Sequence, residues 1–200
     1  MNKTARAIAY LFHPTIIPTL GFLLLFHSDF YFSMLGWQAK RLVLLIIFFT
    51  TCILPLLSIA LLSINPKFKL SPDSENFRAL SLIFTAFSYY LGYLLLLRIE
   101  ALPVFKLLQL ASIFVIVALL PLSFRWKISS HMAALGALTG ALIALSFRMG
   151  ANPMWSIAAV VFISGIVASA LLILNKNKLW HLKAGYATGF LILYLVIYFI

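Results

Sequence analysis

Seven stretches of roughly 20 mostly apolar residues follow one another along this chain, at 8–27, 42–64, 79–98, 103–123, 131–148, 154–174 and 183–200. A run of that length crosses the hydrocarbon core of a bilayer as one helix. Lipid offers no partner for backbone N–H and C=O groups, so only helices and closed barrels span it, and uninterrupted apolar runs choose the helix. The connections, 28–41, 65–78, 99–102, 124–130, 149–153 and 175–182, are too short to fold as a soluble domain. The expectation is an all-α, polytopic transmembrane helix bundle of six to seven spans, built as a single integral membrane domain over 1–200.

Composition removes the other classes. The chain is 64% hydrophobic and 10% charged, where soluble domains carry about a quarter charged residues. Its net charge of +11 comes from 15 Lys and Arg against four acids, clustered between the apolar runs. No basic arm or aromatic-basic module accompanies them, so nucleic acid is excluded as a partner and anionic lipid or phosphate is favoured. Cys52 stands alone inside an apolar run, which rules out a disulfide framework or a thiolate metal site. His13, His27, His131 and His181 form no ligand-like pair and carboxylates are scarce, so neither a metal nor any other cofactor is expected.

The first stretch resembles a signal peptide in its basic lead, but His13-Pro14 and Pro18 interrupt it and no small-residue cleavage motif follows; it reads as a retained first segment that these prolines bend or break. In the fifth stretch, Gly136 and Gly140 stand four apart among alanines, a face on which two helix backbones approach closely in lipid.

Alternating spans bring the N-terminus and the connections 65–78, 124–130 and 175–182 to one side. That side gathers Lys3, Arg6, Lys67, Lys69, Arg78, Arg125, Lys127, Lys176, Lys178 and Lys183, with His131 and His181. Lys40, Arg41, Arg98, Lys106 and Arg148 fall on the other. Such a bias marks the cytoplasmic face of a cell's inner (plasma) membrane, unless part of it serves to hold phosphate.

"WKISSHMAALGALTG", Trp126 to Gly140, reads two ways. Ser129 and Ser130 fit a helix cap, whose side-chain oxygen accepts a backbone N–H of the first turn. They also fit an anion cradle, in which exposed N–H groups, the positive helix end and serine hydroxyls face a phosphate with His131 as proton donor. His181, amid "NKNKLWHLKAG", is an interfacial anchor on one reading and a nucleophile on the other. Two histidines and three basic clusters on one side favour phosphate chemistry, which needs cationic donors, a nucleophile and an acid.

These residues resemble the three ordered motifs of the type-2 phosphatidic acid phosphatases, membrane lipid phosphatases that work without metal. Ile128-Ser129-Ser130-His131 is similar to the family's Pro-Ser-Gly-His; the resemblance implies that His131 is the general acid and that Ser129 and Ser130 contact phosphate. In the third motif His181 takes the place of the nucleophile that forms a phosphohistidine, with Asn175 where the family has Arg and Gly185 where it has Asp. Thr188-Gly189-Phe190 is similar to the Ala-Gly-Phe that follows in the family. Arg78 matches the first motif's Arg, followed by Ala79 instead of Pro, with Lys69 and Lys67 upstream. The likeness covers residues 65–200, a phosphatidic acid phosphatase type 2-like core.

It implies a divergent bacterial lipid-phosphate phosphatase that hydrolyses a phosphomonoester or diphosphate. Its partners are membrane lipids, a lipid phosphate or polyprenyl diphosphate, held by Arg78, Lys127, Ser129, Ser130, Lys176 and Lys178. Asn175 and Gly185 leave a second reading, an inactive relative that binds or transports anionic lipid or supports a membrane partner.

Overall fold

Pro14 divides the first apolar stretch. A proline disfavours the helical region for the residue before it and offers no N–H to the ladder, so the chain forms α1 (Asn2–Leu11), turns through His13 to Ile16, and restarts as α2 (Ile17–Leu25) with Pro18 in its first turn. That position is where a helix tolerates proline. The computed structural model describes residues 2–64, 75–125, 128–175 and 178–200.

The remaining helices are α3 (Trp37–Phe48), α4 (Leu54–Ile64), α5 (Glu75–Arg98), α6 (Pro103–Arg125), α7 (Ser130–Met149), α8 (Met154–Ile173) and α9 (Leu179–Phe199). A wide turn of π-helix, Phe49–Ile53, joins α3 and α4 into one span. Pro55 explains it, because its ring crowds the carbonyl one turn earlier and a π-turn relieves the clash.

Six helices among the described residues are long and apolar enough to cross a membrane: Trp37–Ser63, Phe77–Arg98, Pro103–Leu122, Ser130–Met149, Met154–Ile173 and Leu179–Phe199. The described residues contain no strand. The protein is a multi-pass, all-helical membrane protein. Its first segment is the departure from seven regular spans: α2 has nine residues, roughly 14 Å of helix, half the thickness of a bilayer core.

The first segment nonetheless runs the depth of the bundle. Ile17 packs with Met132 and Leu135 near the start of α7, whereas Phe22 and Phe26 meet Phe105, near the start of α6, with ring centroids 5.6 and 5.5 Å away. α1 is amphipathic: Ala5 and Ala9 are buried on the side that meets α8, and Lys3 and Arg6 are exposed.

α7 is the buried central helix, and its closest partner is α9. The glycines set that distance. A Cβ on Gly136 or Gly140 would collide with the carbonyl oxygens of Tyr186 or Phe190, and one on Gly189 with that of Ala133. The small-residue face expected from Gly136 and Gly140 thus meets a reciprocal face on α9, which is how helices gain packing contact in lipid. At the far end, Arg148 donates to the carbonyls of Ile197 and Ile200 at 2.8 and 3.2 Å, a cation placed at the negative end of the α9 dipole.

Candidate functional site

α7 begins where it does because Ser129 caps it. Ser129 is extended, and its Oγ accepts the Met132 N–H at 3.4 Å, satisfying one of the orphan donors of the first turn. Its own backbone N–H donates to the His181 carbonyl at 3.4 Å. The starts of α7 and α9 are thereby tied together, as the parity of the spans requires.

Beside this junction lies a cavity of about 750 Å³. Its polar end collects His13 and Thr15 from the turn between α1 and α2, Arg78 from the first turns of α5, Ser129, Ser130 and His131 from the start of α7, and Asn175 from the end of α8. The lining continues down α7 from Ser130 to Leu142, roughly 18 Å of helix at 1.5 Å per residue, and there Phe22, Leu25, Leu108 and Leu193 make the wall apolar. One strip of α5, Ser81, Thr85 and Tyr89, runs along it below Arg78 at helical spacing.

The imidazoles of His13 and His131 meet edge to face, ring centroids 5.7 Å apart at 76°. His131 Nε2 lies 3.2 Å from the Ala9 carbonyl oxygen; a carbonyl only accepts, so this nitrogen carries the proton. His13 Nδ1 lies 2.8 Å from Thr15 Oγ1. Arg78 is half-buried, and its Nε is buried without a hydrogen-bond partner among the described residues. A buried guanidinium N–H in that condition is a costly group that an anion would satisfy.

Five residues expected at a phosphate site therefore share this cavity: Arg78, Ser129, Ser130, His131 and Asn175. His181, Lys178 and Gly185 do not line it. His181 is half-buried in the first turn of α9, and Lys178 is exposed just before that helix. Lys69, Lys127 and Lys176 lie outside the described residues, as does Lys67.

The residues found at 175 and 185 both have structural reasons. Asn175 has φ 51°, the left-handed conformation that closes a helix and that Asn adopts more readily than Arg. Gly185 packs on α7, where an added Cβ would lie 2.6 Å from the Ser129 carbonyl oxygen. An Asp has no room there.

His13 is the residue that sequence reasoning passed over, taking it only as part of a helix break. The available signal was a titratable side chain inside an apolar segment, which in membranes marks a functional position by default. Compared with known proteins, the chain matches no family model, no curated protein and no solved structure.

Proposed function

We propose that this protein is a lipid-phosphate phosphatase with a divergent phosphatidic acid phosphatase type 2-like core, and that the cavity takes the phosphate at its polar end and an acyl or polyprenyl chain along its apolar wall. The carrying observation is the junction of His131, Ser129, Ser130 and Arg78 at one end of a space that Phe22, Leu25, Leu108, Leu142 and Leu193 also line. The start of α7 supplies N–H groups and the positive end of a dipole to an anion, Arg78 supplies a fork for its oxygens, and a histidine supplies the nucleophile for metal-independent hydrolysis through a phosphohistidine.

The test offers purified protein phosphatidate, phosphatidylglycerophosphate and polyprenyl diphosphate, and measures phosphate released by wild type and by His131→Ala. Release that falls sharply in the variant and withstands chelator is the expected result. Equal release from the two proteins would sink the reading.

One observation favours a second reading, binding of anionic lipid without turnover. The close contact of Gly185 with Ser129 leaves no place for the carboxylate that orients a nucleophilic histidine in the family's scheme, and loss of such a group costs about 10⁴ in rate in a comparable triad. Saturable binding of phosphatidate with no phosphate release would select it.

A further inference from the structure

We propose that the cavity seats a single hydrocarbon chain and measures its length, so that its ligand class is a phosphate carried on one chain of about 14 carbons. This rests on the phosphatase reading above and narrows its substrate from lipid phosphates at large to those that present one chain of limited length.

Three helices give the depth independently. α5 lines the cavity from Arg78 to Tyr89, α6 from Leu119 to Leu108, and α7 from Ser130 to Leu142, spans of roughly 16 to 18 Å at 1.5 Å per residue. Gln109 Nε2 donates to the Tyr89 carbonyl at 3.1 Å, closing α5 on α6 at the level where the lining of both ends. Beyond that level the Phe105 ring meets Phe22, Phe26 and Phe32 with centroids 5.6, 5.5 and 5.2 Å away, and Leu142 and Leu193 are buried in the same cluster. The shaft therefore has a packed floor.

Its walls suit hydrocarbon even where their residues are polar. Ser81, Thr85 and Ser112 donate their hydroxyl protons to the carbonyls of Arg78, Ser81 and Leu108 at 2.8, 2.7 and 2.8 Å, so these three turn no donor into the space. A donor without a partner among the described residues sits at the top, the buried Nε of Arg78. An anionic head fits there, and an apolar tail fits the shaft below.

Volume sets the number of chains. A saturated chain with bonds of about 1.5 Å at about 111° advances about 1.25 Å per carbon, so about 14 carbons reach from the start of α7 to the floor. With each methylene given the roughly 30 Å³ share of a water molecule, that chain takes about 420 Å³ and two such chains about 840 Å³. The cavity holds about 750 Å³, headgroup included. A two-chain phosphatidate leaves its second chain in the bilayer, and a long polyprenyl chain cannot be seated whole with its phosphate at Arg78. Lipid tails are as apolar as the wall, so burial alone selects no length. A shorter chain leaves a void whose lining loses its contacts, and a longer one must buckle or lift its head from the donors.

The experiment uses full-length wild type in phosphatidylcholine nanodiscs with n-alkylphosphonic acids of about 8 to about 18 carbons, whose carbon–phosphorus bond resists hydrolysis, and reads the shift in unfolding temperature that binding produces. Tetradecanol is the control without an anionic head. The expected shift rises to a maximum near 14 carbons and falls beyond it. Ala137 lines the shaft about two turns below Ser130, so Ala137→Leu is expected to move the maximum to about 8 carbons. A shift that keeps growing to the longest chain, or one that tetradecanol reproduces, overturns the proposal. Phosphate release from tetradecyl phosphate and from phosphatidate is measured beside it. Release without a length optimum in binding sinks the single-chain measure and keeps the phosphatase reading, whereas a length optimum without release from either substrate does the reverse. The wild-type profile needs no variant, so it decides the matter even where Ala137→Leu fails to fold.

Discussion

Gly185 rests on the carbonyl oxygen of Ser129, so near that a Cβ would lie 2.6 Å from it. The obstacle is backbone and cannot rotate aside. Placing an acid here by Gly185→Asp is therefore expected to part the starts of α7 and α9 and to destabilise the protein by about 1–3 kcal/mol, with no gain in phosphate release. Tryptophan-monitored thermal unfolding in detergent reads the first effect; enhanced turnover in a stable variant would contradict the second.

The glycines of the α7–α9 contact can be separated from glycine's general effect on helices. Gly165 in α8 has open space where a Cβ would go, whereas Gly189 faces the Ala133 carbonyl. Gly165→Ala is expected to stabilise by about 0.5–1 kcal/mol through helix propensity alone. Gly189→Ala is expected to lower the unfolding temperature clearly. Similar shifts of the same sign in both would mean that α7 and α9 do not touch as described.

The local rules in the sequence carried far. The Ser129 cap and the Gly136/Gly140 face depend on neighbours within one or two helical turns, and both stand as read. The break at His13-Pro14 was legible as a break, because proline chemistry is local. What it builds was not: the contact of His13 with His131 depends on the turn between α1 and α2 meeting the start of α7, from the other half of the chain. That Asn175 and Gly185 differ from the motif the chain resembles was visible in the sequence. What the backbone requires at those two positions, a left-handed conformation and a close helix crossing, exists only in three dimensions.

Asn175 offers a direct test of that backbone cause. At φ 51°, Asn175→Gly is expected to leave stability unchanged or slightly raised, and Asn175→Arg to lower it by about 1 kcal/mol. Thermal unfolding of the two variants side by side measures this; an Arg variant as stable as the Gly variant would remove the explanation.

Arg78 should matter for ligand more than for fold. Its buried Nε has no partner among the described residues, so Arg78→Leu removes a desolvated polar group and should leave stability intact or improved. A ligand that binds only the folded state raises the unfolding temperature by mass action. Phosphatidate is accordingly expected to stabilise wild type more than phosphatidylcholine does, and this difference should vanish in Arg78→Leu. A variant still stabilised by phosphatidate would place the anion elsewhere.

Ser129 combines two duties that a change of charge can pull apart. Its Oγ caps α7 through the Met132 N–H, and its side faces the cavity. Ser129→Ala should cost about 0.5–2 kcal/mol, the usual loss of a cap, and weaken phosphatidate binding with it. Ser129→Asp supplies a capping oxygen, and its negative charge suits the positive end of the helix, so stability should stay near that of wild type. The same charge would repel a phosphate from the N–H groups it occupies. A stable Ser129→Asp protein that no longer responds to phosphatidate would assign the start of α7 to the anion, whereas one that binds phosphatidate as wild type does would reduce Ser129 to a cap alone.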